Sequence, residues 1–119
     1  MTQDEFRTRT KALGLGVIRL VDTLPRKRSV EVIGRQVLRS ATSVGANYRA
    51  ACRSRSPADM IAKLGIVLEE ADETLYWLEL LRGSGLVADA QLRRLLVEAD
   101  EIVAMTVASI KTMRSRPRR

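Results

Sequence analysis

Apolar residues recur every three or four positions along most of the chain, the spacing that places side chains on one face of an α-helix. Four stretches with this spacing are separated by short segments that contain proline or glycine. The spacing is helical rather than the strict alternation of a half-buried strand. The pattern therefore predicts an all-α fold. The expected helices cover about residues 2–23, 30–51, 57–82 and 89–114.

Local signals mark where these helices begin and end. Ser29 is the expected N-cap of the second helix, and Ser56, which precedes a proline, is the expected N-cap of the third. Glycines after Arg82 supply a helix stop. Short connections favour antiparallel neighbours. We therefore predict one domain over residues 1–114, an antiparallel up-down-up-down four-helix bundle, followed by a basic tail over residues 115–119.

A helical wheel separates the inward from the outward positions of each helix. The second helix is rich in small residues, which allow a neighbouring helix to approach closely. The predicted inward positions of the first helix are Phe6, Thr10, Leu13, Val17, Leu20, Val21 and Leu24. Those of the second are Val30, Ile33, Val37, Ser40, Ala41, Val44, Tyr48 and Ala51. Those of the third are Ile61, Leu64, Leu68, Ala71, Leu75 and Leu78.

The third helix carries a second apolar face, opposite its predicted core stripe. A monomeric bundle exposes mainly polar residues there, and tyrosine and tryptophan are favoured anchors of protein interfaces. The face therefore indicates self-association. Alternatively, the bundle is splayed and Trp77 fills a gap in its own subunit. The predicted subunit interface comprises Ile66, Tyr76, Trp77 and Leu80 together with the acidic residues Glu69, Glu70 and Glu73.

Composition restricts the chemistry available to this chain. Its 119 residues include 21 Lys plus Arg and 14 Asp plus Glu, a net charge of +7, with no His, one Cys and 3% aromatic residues. Without His, the usual proton shuttle and the commonest metal ligand are missing, and Cys52 alone cannot form a zinc site. We therefore expect no catalytic residue, no metal and no cofactor. An ion-pair clamp of Arg35, Gln36, Arg39 and Glu69 is the weak enzyme-type alternative.

No run of eighteen apolar residues occurs in the chain, and its first residues lack the apolar segment of a signal peptide. The expectation from sequence is therefore a protein with neither a membrane span nor a leader. A cytoplasmic location follows from that expectation.

Arginines of the second helix share one ridge opposite its inward face. Arginine binds phosphate oxygens through paired hydrogen bonds, and each neutralised phosphate releases counterions. Alternatively, the ridge is a solvated face or pairs with the acidic third helix. The ridge comprises Arg35, Arg39, Arg49 and Arg53; Arg55 lies near its end, and Arg26, Lys27 and Arg28 form a second basic cluster in the first loop.

Charge is segregated along the chain. The net charge is +8 over residues 1–55, −6 over residues 56–101 and +5 over residues 102–119. A neighbouring subunit could therefore dock its arginine ridge on the acidic third helix, leaving the loops and the tail for nucleic acid. This arrangement competes directly with phosphate binding by the ridge.

Residues 36–56 and 63–73 resemble the bacterial four helix bundle protein family, which includes proteins encoded in intervening sequences of 23S rRNA genes. Gln36, Arg39 and Asn47 match the family pattern. Many members continue with Ile-Ala-Glu-Gly, whereas this chain has Tyr-Arg-Ala-Ala. The resemblance implies a four-helix bundle that assembles as a homopentameric ring. The similar accessory variability protein of diversity-generating retroelements implies nucleic acid or a reverse transcriptase as a partner.

Two functions from different classes follow. The leading hypothesis is a non-enzymatic homo-oligomer, a pentamer by resemblance, that binds RNA or DNA through basic surface residues. Because aromatic residues are few, we expect contacts with the phosphate backbone rather than base stacking. The second hypothesis is a protein-interaction adaptor whose arginines serve subunit assembly. An enzyme with Arg and Glu converging inside the bundle and a membrane-surface protein are weaker alternatives.

Overall fold

The computed structural model describes residues 1–116 and contains four α-helices. The helices are α1 (Gln3–Asp22), α2 (Arg28–Cys52), α3 (Pro57–Ser84) and α4 (Asp89–Ser115). No strand occurs among the described residues, and the all-α prediction is confirmed. Residues 117–119, the last part of the predicted basic tail, lie outside the residues that the structure describes.

Each helix packs against its neighbours in the order α1, α2, α3, α4, and α1 closes the bundle against α4. Phe6 near the start of α1 stacks on Tyr48 near the end of α2, with ring centroids 4.0 Å apart. Arg9 of α1 reaches Glu101 of α4, with 2.8 Å between Nη2 and Oε2. The predicted antiparallel up-down-up-down bundle is confirmed, and it forms a rod of 54 × 20 × 19 Å.

The predicted ends of α3 are confirmed, whereas the predicted start of α2 is wrong. The Ser56 hydroxyl accepts a hydrogen bond from the Asp59 backbone N–H, and Gly85 ends α3 in the left-handed conformation with φ of 71°. In α2 the N-cap is Lys27, not Ser29. The Lys27 N–H donates to the carbonyl of Pro25 at 2.9 Å, which closes a tight turn around Arg26. Lys27 itself is extended, and the helix starts at Arg28.

The core follows the predicted stripes of α1 and α2 closely. All the predicted inward positions of these two helices are buried, apart from Val21, Leu24 and Ile33, which are half-buried. Small residues bring the two helices together, as expected. A β-carbon placed on Gly45 would lie 3.6 Å from the backbone of Thr10.

The inward face of α3 is rotated from the predicted stripe. Ile61, Leu68 and Leu75 are only half-buried, whereas Val67 and Leu81 are fully buried. Apolar residues surround much of this helix, so their spacing alone does not select one face. Burial is decided by its contacts with both α2 and α4, which the sequence does not reveal.

The hydroxyls of the four fully buried polar residues that the structure describes all form hydrogen bonds within the bundle; these residues are Thr10, Ser40, Thr74 and Thr106. Thr74 Oγ1 lies 2.9 Å from Ser40 Oγ, which links α3 to α2, and it also hydrogen-bonds the Glu70 carbonyl. No charged residue is buried among residues 1–116. The described interior therefore lacks the converging Arg and Glu that the enzyme alternative requires.

None of the four helices carries the long, nearly uncharged apolar run that a membrane-spanning helix requires, as far as residues 1–116 show.

Candidate nucleic-acid and subunit interfaces

The predicted arginine ridge lies on the outer face of α2. Its four members, Arg35, Arg39, Arg49 and Arg53, are exposed. They point away from the core because Val37 and Val44, on the opposite side of the helix, are fully buried. The ridge is thus positioned by the same amphipathic pattern that builds the core.

Arg39 differs from the other ridge arginines because it is paired within its own chain. Its Nη2 lies 2.6 Å from Glu73 Oε1, and its Nη1 lies 3.7 Å from Glu70 Oε2. Trp77 Nε1 donates a second hydrogen bond to Glu73 Oε1 at 3.2 Å. The hydrogen bond from Arg39 and then that from Trp77 hold the pKa of Glu73 below its ordinary value. We call Arg39, Glu70, Glu73 and Trp77 the Arg39 cluster.

The remaining ridge arginines have no such partner. Within residues 1–116, Arg35, Arg49 and Arg53 form no ion pair. Lys63 of α3 lines a shallow groove with Arg49 and Arg53, although its own ammonium pairs with Asp59 at 3.1 Å. Sequence reasoning missed Lys63, because its place beside the ridge depends on the register of α3 against α2.

Further basic groups flank the ridge at both ends of α2. Arg26, Lys27 and Arg28 are exposed where α2 begins, and Arg55 is exposed just beyond its end. The 25 residues of α2 span about 37 Å. The basic surface therefore extends along the whole helix.

The predicted outward apolar face of α3 is largely exposed, as expected for an unpartnered surface. Tyr76 is 52% exposed, Ile66 42% and Leu80 37%. Trp77 is the exception, since it is half-buried, packs against the core and meets Tyr76 edge-on with ring centroids 5.3 Å apart. Trp77 therefore packs within its own subunit, as the alternative interpretation proposed. Ile66, Tyr76 and Leu80 of the same face remain exposed. Glu69 is exposed and Glu70 half-buried.

A second apolar surface, which sequence reasoning missed, lies between α1 and α2. It is an open groove of about 590 Å³. Leu15 and Ile18, each 42% exposed, stand beside it. The signal available in the sequence was the glycines within α1 and α2, which let the helices approach. We call this surface the α1–α2 groove; its floor is Gly14, Ala41 and Gly45, its walls are Leu15 and Ile18, and its basic rim is Lys11 and Arg49.

One end of the bundle holds a pocket of about 360 Å³ lined mainly by apolar residues, including four methionines. Tyr48 lies beneath it, and burial raises the pKa of its phenol above the ordinary value. No group of His, Cys, Asp and Glu suited to a metal ion occurs in the described part of the chain.

The comparisons with known proteins agree with this architecture. Residues 4–108 match the profile of a family described as 23S rRNA-intervening sequence protein. A crystal structure from Bacteroides thetaiotaomicron VPI-5482, described as a protein with unknown function from the S23 ribosomal protein family, is also similar. The two chains are 34% identical, with a TM-score of 0.85, over 93% of this chain and 99% of that chain. No curated protein matches the chain.

Proposed function

The chain belongs to the 23S rRNA-intervening sequence protein family, and on that premise we propose that it is a non-enzymatic, self-associating protein that binds RNA or DNA. The proposed assembly is a homopentameric ring, which follows from the family resemblance of residues 36–56. The family is named after an intervening sequence of 23S rRNA, and the similar crystal structure belongs to the S23 ribosomal protein family. A structured RNA is therefore the first ligand to test.

The observation that carries the proposal is the row of basic side chains without carboxylate partners along α2. Such residues keep their charge available for phosphates, whereas a paired arginine is already largely neutralised. Within residues 1–116 the members of this row form no ion pair. They are Arg26, Lys27, Arg28, Arg35, Arg49, Arg53 and Arg55.

Contacts with the phosphate backbone are the proposed mode of recognition. The chain has one Phe, one Trp and two Tyr, and of these Phe6 and Tyr48 are buried and Trp77 is half-buried. Tyr76 of α3 is the one exposed aromatic residue among residues 1–116, so the described surface has no row of aromatic side chains on which bases could stack. The basic surface is about as long as one turn of a nucleic-acid duplex, about 34 Å.

Two substitutions one helical turn apart test the proposal with a matched control. Arg35→Gln and Arg39→Gln remove the same charge from the same face of α2, but only Arg39 is neutralised by Glu73. We expect Arg35→Gln to flatten the slope of log affinity against log salt on duplex DNA by about 0.9, the value for one phosphate contact. Arg39→Gln should change that slope much less.

The same salt series is measured with a structured RNA and with a double variant, Arg35→Gln with Arg53→Gln. Circular dichroism confirms that each variant is helical, and light scattering gives its mass. Failure of the assembled wild-type protein to bind either nucleic acid near physiological salt would overturn the proposal. An unchanged slope in the double variant would also overturn it.

A second candidate function, a protein-interaction adaptor, is favoured by one specific observation. The outward side of α3 exposes Ile66, Tyr76 and Leu80, a surface that suits a protein partner rather than a phosphate backbone. Under this candidate the arginines serve assembly, so the Arg35→Gln and Arg53→Gln double variant would lose its oligomeric mass. The retroelement resemblance names a reverse transcriptase as the protein partner to mix with the assembled protein.

A further inference from the structure

We propose that the outer face of α3 docks into the α1–α2 groove of a second copy of this chain. The inference rests on the proposed self-association and names the two surfaces that meet. The outer face of α3 is defined by Ile66, Glu69, Asp72, Tyr76 and Leu80, all of which are exposed. The other side of the contact is the groove already described between α1 and α2.

The outer face of α3 and the α1–α2 groove both expose apolar side chains. Most core side chains of the bundle are fully buried, yet Tyr76, Ile66 and Leu80 are 37–52% exposed. Leu15 and Ile18, beside the groove, are each 42% exposed. Small residues at the floor leave a concavity of about 590 Å³, into which bulky side chains can be inserted. Docking would remove both apolar surfaces from water at once.

Charge complementarity supports a second copy as the occupant. Glu69 and Asp72 form no ion pair within residues 1–116, and neither do Lys11 and Arg49 at the rim of the groove. The first two are anionic and the last two cationic, so docking brings unpaired opposite charges together. In this contact Arg49 lies at the subunit interface, and the other basic residues of the row along α2 are left for nucleic acid.

A symmetric contact centred on the outer face of α3 would bring the Asp72 side chains of the two copies close together, because the midpoint of the face is near residue 73. Like charges brought together in this way oppose association. The favourable arrangement is therefore heterologous, with the face of one copy in the groove of the next. Such head-to-tail contacts produce either closed rings or open filaments.

The two surfaces lie on different sides of the bundle, so one copy can use both of them at once in a head-to-tail contact. Ile66, Glu73 and Leu80 are seven residues apart and form one stripe, and Glu73 contacts Arg39 of α2, so the stripe lies on the α2–α3 side of the bundle. The groove lies on the adjacent α1–α2 side.

The test mixes two variants that each lack one half of the contact. Tyr76→Arg with Leu80→Arg blocks the face and leaves the groove intact. Leu15→Glu with Ile18→Glu blocks the groove and leaves the face intact. All four positions are exposed, so the bundle should still fold, which circular dichroism checks. Leu86→Arg with Val97→Arg is the matched control, because these residues are also exposed but lie outside both surfaces.

Light scattering in the absence of nucleic acid gives the outcome. We expect each blocked variant to have the 13.3 kDa mass of one chain. Their mixture should form a 1:1 complex of twice that mass and nothing larger, because one intact pair of surfaces remains. The control should keep the wild-type mass. Retention of the wild-type mass by the blocked variants, a mixture that stays monomeric, or a monomeric wild-type protein would overturn the inference.

The same samples separate this inference from the proposed function. Nucleic-acid binding is measured on the assembled wild-type protein, so its absence counts against the proposed function and leaves the subunit masses unaffected. In the converse outcome, the wild-type protein assembles and binds nucleic acid while the two blocked variants do not form a complex. That result counts against the outer face of α3 and the α1–α2 groove as the contact, and it leaves the proposed function standing.

Discussion

Arg35 and Arg39 lie one turn apart on the same face of α2, but their surroundings differ. Arg39 reaches Glu73 of α3, whereas Arg35 reaches no carboxylate within residues 1–116. Sequence spacing groups the two residues correctly on one ridge. Sequence spacing does not show that Arg39 pairs with Glu73, because this ion pair depends on the axial register of α2 against α3. The same reason explains why Lys63 was missed beside Arg49 and Arg53.

The Arg39 cluster leads to a prediction about pH. Because the pKa of Glu73 is lowered in the folded chain, its contribution to stability is present above its ordinary pKa and is lost as the pH falls through the lowered value. The pair is partly exposed, so we expect Glu73→Gln to reduce the free energy of unfolding by only about 0.5 kcal/mol at pH 7. Urea unfolding of both proteins from pH 7 to pH 3 measures the difference.

The difference in the free energy of unfolding between wild type and Glu73→Gln should become smaller as the Glu73 carboxylate is protonated. The free energy of unfolding of the variant should therefore depend less on pH than that of wild type. Asp59 and Asp89, whose pKa values are also lowered by neighbouring basic groups, remain in both proteins and do not affect the comparison. A difference in the free energy of unfolding that stays constant down to pH 3 would contradict the stabilising role of the Arg39–Glu73 ion pair.

At the scale of the helices, the sequence predicts most boundaries because caps are local. Serine before proline starts α3 and a glycine ends it, and both signals act within one turn. The error at the start of α2 is also local, since the chain makes a tight turn around Arg26 and the helix begins two residues later at Arg28. The inward face of α3 could not be predicted in this way, because the helix is apolar on several sides and its burial is decided by two neighbouring helices.

A reciprocal pair of substitutions tests the caps. Ser56→Ala removes the hydrogen bond from the Asp59 N–H to the serine hydroxyl, and we expect a loss of about 1 kcal/mol in the free energy of unfolding. Ala88, the N-cap of α4, provides no side-chain hydrogen bond, so Ala88→Ser should gain up to about 1 kcal/mol. Chemical denaturation compares both with wild type; changes of equal sign would show that capping does not control these helix starts.

At the scale of the whole molecule, the bundle presents different chemistry on different sides. Along α2 run basic residues without carboxylate partners, while α3 presents exposed apolar and acidic residues beside them. The net charge of +7 conceals this separation, which the segregation of charge along the chain already indicates. Family membership supports the fold and leaves the ligand to experiment. Under the proposed function, the basic side engages nucleic-acid phosphates while other sides hold the subunits together.

The most direct test of that claim is binding of the wild-type protein to a structured RNA and a duplex DNA across a salt series, with the mass recorded by light scattering in the same buffers. We expect an oligomer that binds nucleic acid with micromolar or tighter affinity near physiological salt. On duplex DNA, log affinity should fall linearly with log salt by about 0.9 for each phosphate neutralised. An intact oligomer that binds neither the RNA nor the DNA would contradict the proposal that the basic side engages phosphates. An affinity for nucleic acid that does not change with salt would also contradict it.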